Sequence, residues 1–452
     1  MGRAEGTVVT GAVNPAGTGA KAGTGAGVQA GLCVSYLLGT TAGGTGRHVA
    51  MLARGCTARG VIVRVYGPAA AGLWLALDGG PPPSRGGAAG PAAGGVQARP
   101  GPAGPGGSAT PGSATPGPGW DFSTVAIAGR PRPARDAAAV LRLRRLLARD
   151  TPDVLHAHGL RAGALAALAL AVPGTPRTAL VVTVHNAPPA RGPAAAVYAG
   201  LEVIVARQAD AVLTVSGDLD ARMRRKGARL AGRALVPAPA PAEVSPAEVA
   251  VLRRELGGCE TGERERGGGE AQGREPGGRQ IVLAVGRLAA QKGFGTLIRA
   301  AAWWQHRGAV PLLLIAGEGP LDAELRRQAG LARVAVRFLG QRRDVPVLLA
   351  AADVVVVPSI WEGQPLIVQE ALRAGRPLVA TRVGGIAELT GDDGALLVQP
   401  GDTAALGAAV TRLLDDPEAA ARLAAAALAR AALLPTETAA VDQALGLYHR
   451  IR

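Results

Sequence analysis

Short apolar runs at positions 32–38, 61–66, 124–128, 154–156, 180–184 and 211–215 alternate with helical stretches rich in Ala, Leu and Arg. A second set of runs follows at 281–285, 312–316, 334–339, 354–357, 378–380 and 396–398. Runs that are apolar throughout, and so buried on both faces, predict parallel strands covered by helices on each side. Two such sets, divided near 237–280, predict an α/β chain of two doubly wound domains. Ligands of such domains bind beyond the carboxyl ends of the strands, which is where chemistry is to be sought.

Three stretches break the pattern. Residues 1–29 are rich in Gly, Ala and Thr; residues 79–119 are almost all Gly, Pro, Ala and Ser; residues 257–279 are mostly Gly, Glu and Arg. None carries enough apolar surface to order itself. The expected organisation is therefore a disordered segment (1–29) and an N-terminal domain (30–236) holding a low-complexity insertion (79–119). A partly disordered linker (237–279) leads to a C-terminal domain (280–435) and a final segment (436–452). The insertion belongs inside a domain because strand-like sequence resumes at Asp121.

The 452 residues suffice for two ordinary cores. The formal charge of +15 raises nucleic acid as a partner, but the basic residues are dispersed and do not alternate with aromatics that could stack on bases. Nucleic acid is therefore not expected. A basic face against an anionic membrane surface fits better, although no basic amphipathic helix stands out. Of 49 Lys and Arg residues only Lys21, Lys226 and Lys292 are lysines, so a lysine kept inside a motif is informative. The bias towards Ala, Gly and Arg suggests a bacterial genome rich in G and C. Cys33, Cys56 and Cys259 show no metal or disulfide spacing. The N-terminal residues lack the apolar core of a signal peptide, and the run 162–172 is short of the about 20 residues that span a bilayer. A cytoplasmic location is expected, with peripheral contact on the inner membrane face left open.

Five constellations sit at expected strand ends. The first, from Gly39 through Gly43, Gly44 and Gly46 to Arg47-His48, follows a strand and opens a helix, where glycines let backbone N–H groups approach a phosphate. As an isolated feature it is equally a tight turn. The second, His156-Ala-His158 with His185 at the next strand end, puts two imidazoles on one face. No carboxylate or thiol completes a metal set there, so no metal is expected. His156 reads as a satisfied structural histidine; His158 and His185 suit hydrogen bonding to a polyhydroxylated ligand. The third, Gly286-Arg287 through Lys292-Gly293, places two cations at a helix start, as a diphosphate requires. The fourth runs from Pro358 through Glu362-Gly363-Gln364-Pro365 to Glu370. Its two glutamates would lie about 12 Å apart along a fully helical stretch, a reach matching the sugar and the ribose of one ligand. The fifth, Asp218-Leu-Asp220, follows Ser216 and reads as acids in a first helical turn rather than as a metal motif.

With these residues in place, the chain resembles glycosyltransferase family 4, retaining enzymes of the GT-B fold. The resemblance is moderate over 30–236 and strong over 280–430. It rests mainly on the Glu362 and Glu370 pair, then on the 286–293 segment, on Ala-Gly-Glu-Gly-Pro at 316–320 and on Val383 to Glu388. It implies a donor that is a nucleotide-diphosphate sugar, bound as substrate with no cofactor or metal, and an undefined hydroxyl acceptor. Arg287 and Lys292 would hold the diphosphate and stabilise it as it leaves. Glu362 would bind sugar hydroxyls and Glu370 the ribose, with Gly363, Gln364 and Pro365 completing that wall. His158 would stand near the reaction centre, and Gly43 and Gly44 would close over the donor. The last helix, at about 436–450, would cross back to the first domain.

Two departures stand out. Pro-Ala-Pro-Ala-Pro follows Val236 where many members carry an Asn-Gly turn and an acid, and the 79–119 insertion falls on the acceptor side. A nucleotide-sugar 2-epimerase on the same architecture is one alternative, but the first half lacks the carboxylate cluster it would need. A catalytically inactive sugar-nucleotide-binding protein is another, yet Arg287, Lys292, Glu362 and Glu370 all remain.

Overall fold

The computed structural model describes residues 31–39, 44–71, 120–128, 132–188, 192–257, 279–306 and 310–452. The low-complexity readings at 1–29 and 79–119, nearly all of 257–279, and Gly43 lie outside the described residues. Seven parallel strands form the first sheet: β1 (Cys33–Leu38), β2 (Ile62–Gly67), β3 (Asp121–Thr124), β4 (Val154–His158), β5 (Ala179–Val184), β6 (Ala211–Thr214) and β7 (Ala231–Arg233). Their spatial order is β3-β2-β1-β4-β5-β6-β7. The second sheet holds β8 (Ile281–Val285), β9 (Leu312–Ala316), β10 (Val336–Gly340), β11 (Val354–Val357), β12 (Leu378–Thr381) and β13 (Leu396–Val398), ordered β10-β9-β8-β11-β12-β13. Both sheets are doubly wound, the expected two-domain α/β architecture.

Every residue of β1 and β4 is buried, including Ser35, His156 and His158. Burial on both faces is the condition for a central parallel strand. The strand order reverses between β1 and β4 in one sheet and between β8 and β11 in the other. Helices leave these neighbouring strands on opposite faces, and a crevice opens at each carboxyl edge.

Three features depart from the sequence pattern. β7 is an edge strand of Ala-Gly-Arg, with no apolar run to mark it. β3 ends at Thr124, so most of the 124–128 run lies beyond the ladder. Inside the stretch assigned to a linker, the helix Pro246–Gly257 places Leu252 and Leu256 in a core of the second sheet. At the other end of the chain, the helix Glu437–Ile451 gives Ala440, Val441, Ala444, Leu445, Leu447 and Tyr448 to the core of the first sheet.

Direct bonds hold the two bodies together. Gln364 donates from Nε2 to Ala234 O (2.6 Å) and accepts from Val236 N (2.9 Å). Gln369, fully buried, accepts from Ala238 N (3.0 Å) and donates to Val236 O (2.8 Å). Arg373 adds Nη1 bonds to Ala238 O (2.6 Å) and Pro239 O (2.7 Å). Prolines in 237–241 lack N–H donors, and these side chains supply the partners that a backbone ladder would otherwise provide. On a second seam Trp361 Nε1 donates to Asp218 Oδ2 (3.0 Å), and Glu388 accepts from Gly217 N (2.9 Å) and from Arg233. Asp220 pairs instead with Arg224 on its own helix (2.7 Å).

Candidate functional site

The functional side chains sit where strands stop. β8 ends at Val285; the chain passes through Gly286 and Arg287 into a single 3₁₀ turn (Ala290–Lys292) and the helix Phe294–Ala301. β11 ends at Val357, and the loop after it carries Ser359, Glu362, Gly363 and Gln364. Pro365, with φ −67°, then starts the helix Leu366–Arg373 that presents Glu370. From the first sheet come the start of the helix Gly44–Thr57 and the residues after β5.

Together they line one cleft of about 1260 Å³. Its wall includes Gly44, Arg287, Lys292, Glu362, Gly363, Gln364, Pro365 and Glu370, eight of the ten residues expected from sequence. The cleft carries six cationic side chains (Arg47, Arg287, Lys292, Arg342, Arg343, Arg373) against three carboxylates (Glu318, Glu362, Glu370). This excess of positive charge suits an anionic ligand. The side chains of Arg47, Arg287 and Arg343, all three residues exposed, make no hydrogen bond or ion pair among the described residues. Arg342 is tied to Asp344 (2.5 Å).

Glu362 is 5% exposed, so its charge must be matched locally. Lys292 Nζ donates to its Oε1 at 2.6 Å, and Ser359 Oγ donates to the same oxygen at 2.7 Å. Ser359 is itself fixed, its carbonyl accepting from Thr381 Oγ1 at 2.5 Å. The Glu362 backbone is held from the loop after β12: Gly385 N donates to Glu362 O at 3.1 Å. Gly384 has φ +50°, and a Cβ there would fall on that carbonyl, so this turn excludes other residues. Glu370 is partly shielded; burial raises its carboxyl above the ordinary range, while Arg47 and Arg373 pull it back down.

Two of the expected site residues sit differently from the rest. His158 is 0% exposed and is absent from the cleft wall. Its Nδ1 lies 3.0 Å from Nε2 of His185, and it is His185 that lines the cleft. The amide of Gln364, expected at the donor, is committed to the backbone of 234–236, which leaves it a bond between the two bodies. His156 is satisfied on both nitrogens, by Tyr448 Oη (2.6 Å) and Thr183 Oγ1 (2.7 Å). Burial lowers all four clustered histidines: His48 and His158 strongly, His156 to about 3 and His185 to about 4. Among the described residues no three metal-ligating side chains are gathered to hold an ion. Sequence reasoning gave no site role to Arg47, Arg343 and Arg373. Arg47 could have been found from its place beside Gly46; the other two carry no local signal.

Residues 42–231 match Glycosyltransferase Family 4, and residues 279–416 match Glycosyl transferases group 1. Among curated proteins, the chain is 37% identical over 179 residues to alpha-D-kanosaminyltransferase of Streptomyces kanamyceticus, covering 38% of this chain and 46% of that one. It is 41% identical over 155 residues to glycogen synthase of Mycobacterium tuberculosis, covering 33% and 37%. The matched region thus spans about half or less of these relatives. Among solved structures, Anabaena HepE in complex with UDP and glucose superposes with a TM-score of 0.69 over 93% of this chain and 100% of that chain, at 19% identity. That likeness concerns the fold. The two family matches take in β2 to the start of β7 in the first sheet and all six strands of the second, and the chain belongs to the family 4, group 1 glycosyltransferases.

Proposed function

We propose that this protein transfers a hexosyl group from a nucleotide-diphosphate sugar to a hydroxyl acceptor with retention at the anomeric carbon. The observation that carries the proposal is the cleft itself, where two strand-order reversals face each other across six cations and three carboxylates. HepE, described with UDP and glucose, and the named transferases among the relatives support a donor of this class.

In this reading Arg287 and Lys292 meet the diphosphate, with no metal required. Lys292 is held by Glu362, so donor binding exchanges one charge-assisted bond for others. Lys292 turns to phosphate, and Glu362 accepts from sugar hydroxyls. Glu370, on the cleft wall, accepts from the ribose diol. His185, rather than His158, faces the sugar. The bond from the anomeric carbon to the diphosphate breaks with its electrons going to the diphosphate. The acceptor oxygen bonds on the same face, where a departing phosphate oxygen takes its proton. Fixed cations lower the barrier because they need not reorganise as charge develops.

The test is calorimetry with UDP-, GDP- and ADP-sugars on the wild type and Glu370→Ala, followed by product analysis with lipid, oligosaccharide and small hydroxyl acceptors. One donor bound tightly, more weakly by the variant, and turned over with retention is the expected result. Binding without turnover on any acceptor would favour an inactive binding protein. No binding at millimolar concentration would remove the enzyme reading.

A further inference from the structure

His185 has one ring nitrogen committed to the protein interior and one left for the cleft. Nε2 lies 3.0 Å from Nδ1 of His158, the rings stack at 25° with centroids 5.3 Å apart, and no protein atom bonds Nδ1 of His185 among the described residues. Both rings are neutral at physiological pH, since burial disfavours the charged form of each. Two neutral imidazoles carry one N–H each, and a single proton occupies the bond between them.

The other nitrogen of His158 decides where that proton resides. His158 Nε2 is buried with no partner among the described residues. Had His185 supplied the shared proton, His158 would carry its own on Nε2, leaving a buried N–H donor unpaired. If His158 supplies it, Nε2 is a bare lone pair, the less costly orphan. Neighbouring rings do not offer a way out. His156 is bonded at both nitrogens, and His48 meets both rings edge-on at 5.6 Å without a hydrogen bond to either.

We infer that His158 is a positioning residue that holds His185 as its Nδ1–H tautomer, so that the cleft receives a hydrogen-bond donor at this point. On the proposed function, upon which this use rests, the recognised atom is an oxygen lone pair of the sugar or acceptor. A ring or ether oxygen serves there as well as a hydroxyl.

The decisive measurement is the pair of 15N shifts of His185 in the full-length protein, labelled at histidine and free of donor, at neutral pH. Protonated Nδ1 and bare Nε2 are expected. His158→Asn, whose amide N–H can stand in for Nδ1–H, should keep that pattern; His158→Phe, which keeps a ring but no nitrogen, should lose it. Unchanged far-ultraviolet circular dichroism and a cooperative melt report that the variants fold. In turnover, His158→Phe should lower kcat about tenfold with little change in KM, the worth of one hydrogen bond, and His158→Asn should restore it. A wild-type His185 protonated at Nε2 overturns the inference whatever the cleft binds. An Nδ1–H tautomer in a protein that binds no nucleotide sugar would uphold the tautomer and defeat the functional reading instead.

Discussion

Lys292 lies 2.6 Å from Glu362, whereas the Arg287 guanidinium bonds no described residue. Losing each cation therefore has a different consequence. Arg287→Ala should leave the unfolding free energy read from urea titration within about 0.5 kcal/mol of wild type while turnover falls ~10²–10³-fold. Lys292→Ala should cost a similar factor in rate and, in addition, about 1–3 kcal/mol of stability, because buried Glu362 keeps only Ser359. A variant of Arg287 that unfolded early would contradict this division. These cations and both glutamates were legible in the sequence because strand ends and short spacings are local information. Both histidines were legible too, but which of the two rings lines the cleft was not. Both lie at adjacent strand ends, and the side each ring takes depends on the pairing of His158 with Thr183 across β4 and β5. That register is a tertiary property.

The helix Leu366–Arg373 turns one face to the cleft through Glu370 and the other to the crossover at 236–239 through Gln369 and Arg373. From sequence Gln369 and Arg373 carried no assigned role, and Pro237 to Pro241 fell in the stretch read as a linker. The bonds that join them span about 130 positions and leave no local trace. Gln369→Leu should orphan Ala238 N–H and Val236 C=O inside the protein, at about 1–3 kcal/mol for each group. Thermal unfolding should register the loss, and donor affinity should fall with it, since Glu370 lies one residue on. If the melting curve were unchanged, these bonds would not be holding the crossover. β7 was missed for a related reason: an edge strand of three residues is stabilised by its neighbour, not by its own apolarity.

For the whole molecule, pH is the most direct probe of the histidine cluster. The unfolded chain takes up protons on histidine below about pH 6.5, while His185 holds out to about 4 and His156 to about 3. Stability is therefore full above that range and is lost as pH falls, at about 1.4 kcal/mol per pH unit for each ring kept neutral. Denaturant midpoints measured from pH 7 to 5 should drop steeply, and a flat profile would mean the rings are hydrated. Tyr448→Phe should remove about 1–3 kcal/mol by leaving His156 Nδ1 unpaired, seen as a lower melting temperature. Two doubly wound domains were readable from strand and helix alternation alone, but the first core is completed from far along the chain. Its last strand ends at Arg233, and the helix that seals it begins at Glu437. During synthesis the leading half therefore emerges with an open hydrophobic face and must wait for nearly the entire trailing half to leave the ribosome. A message cut short anywhere before the last helix yields no half-working product, only a chain awaiting chaperone or protease.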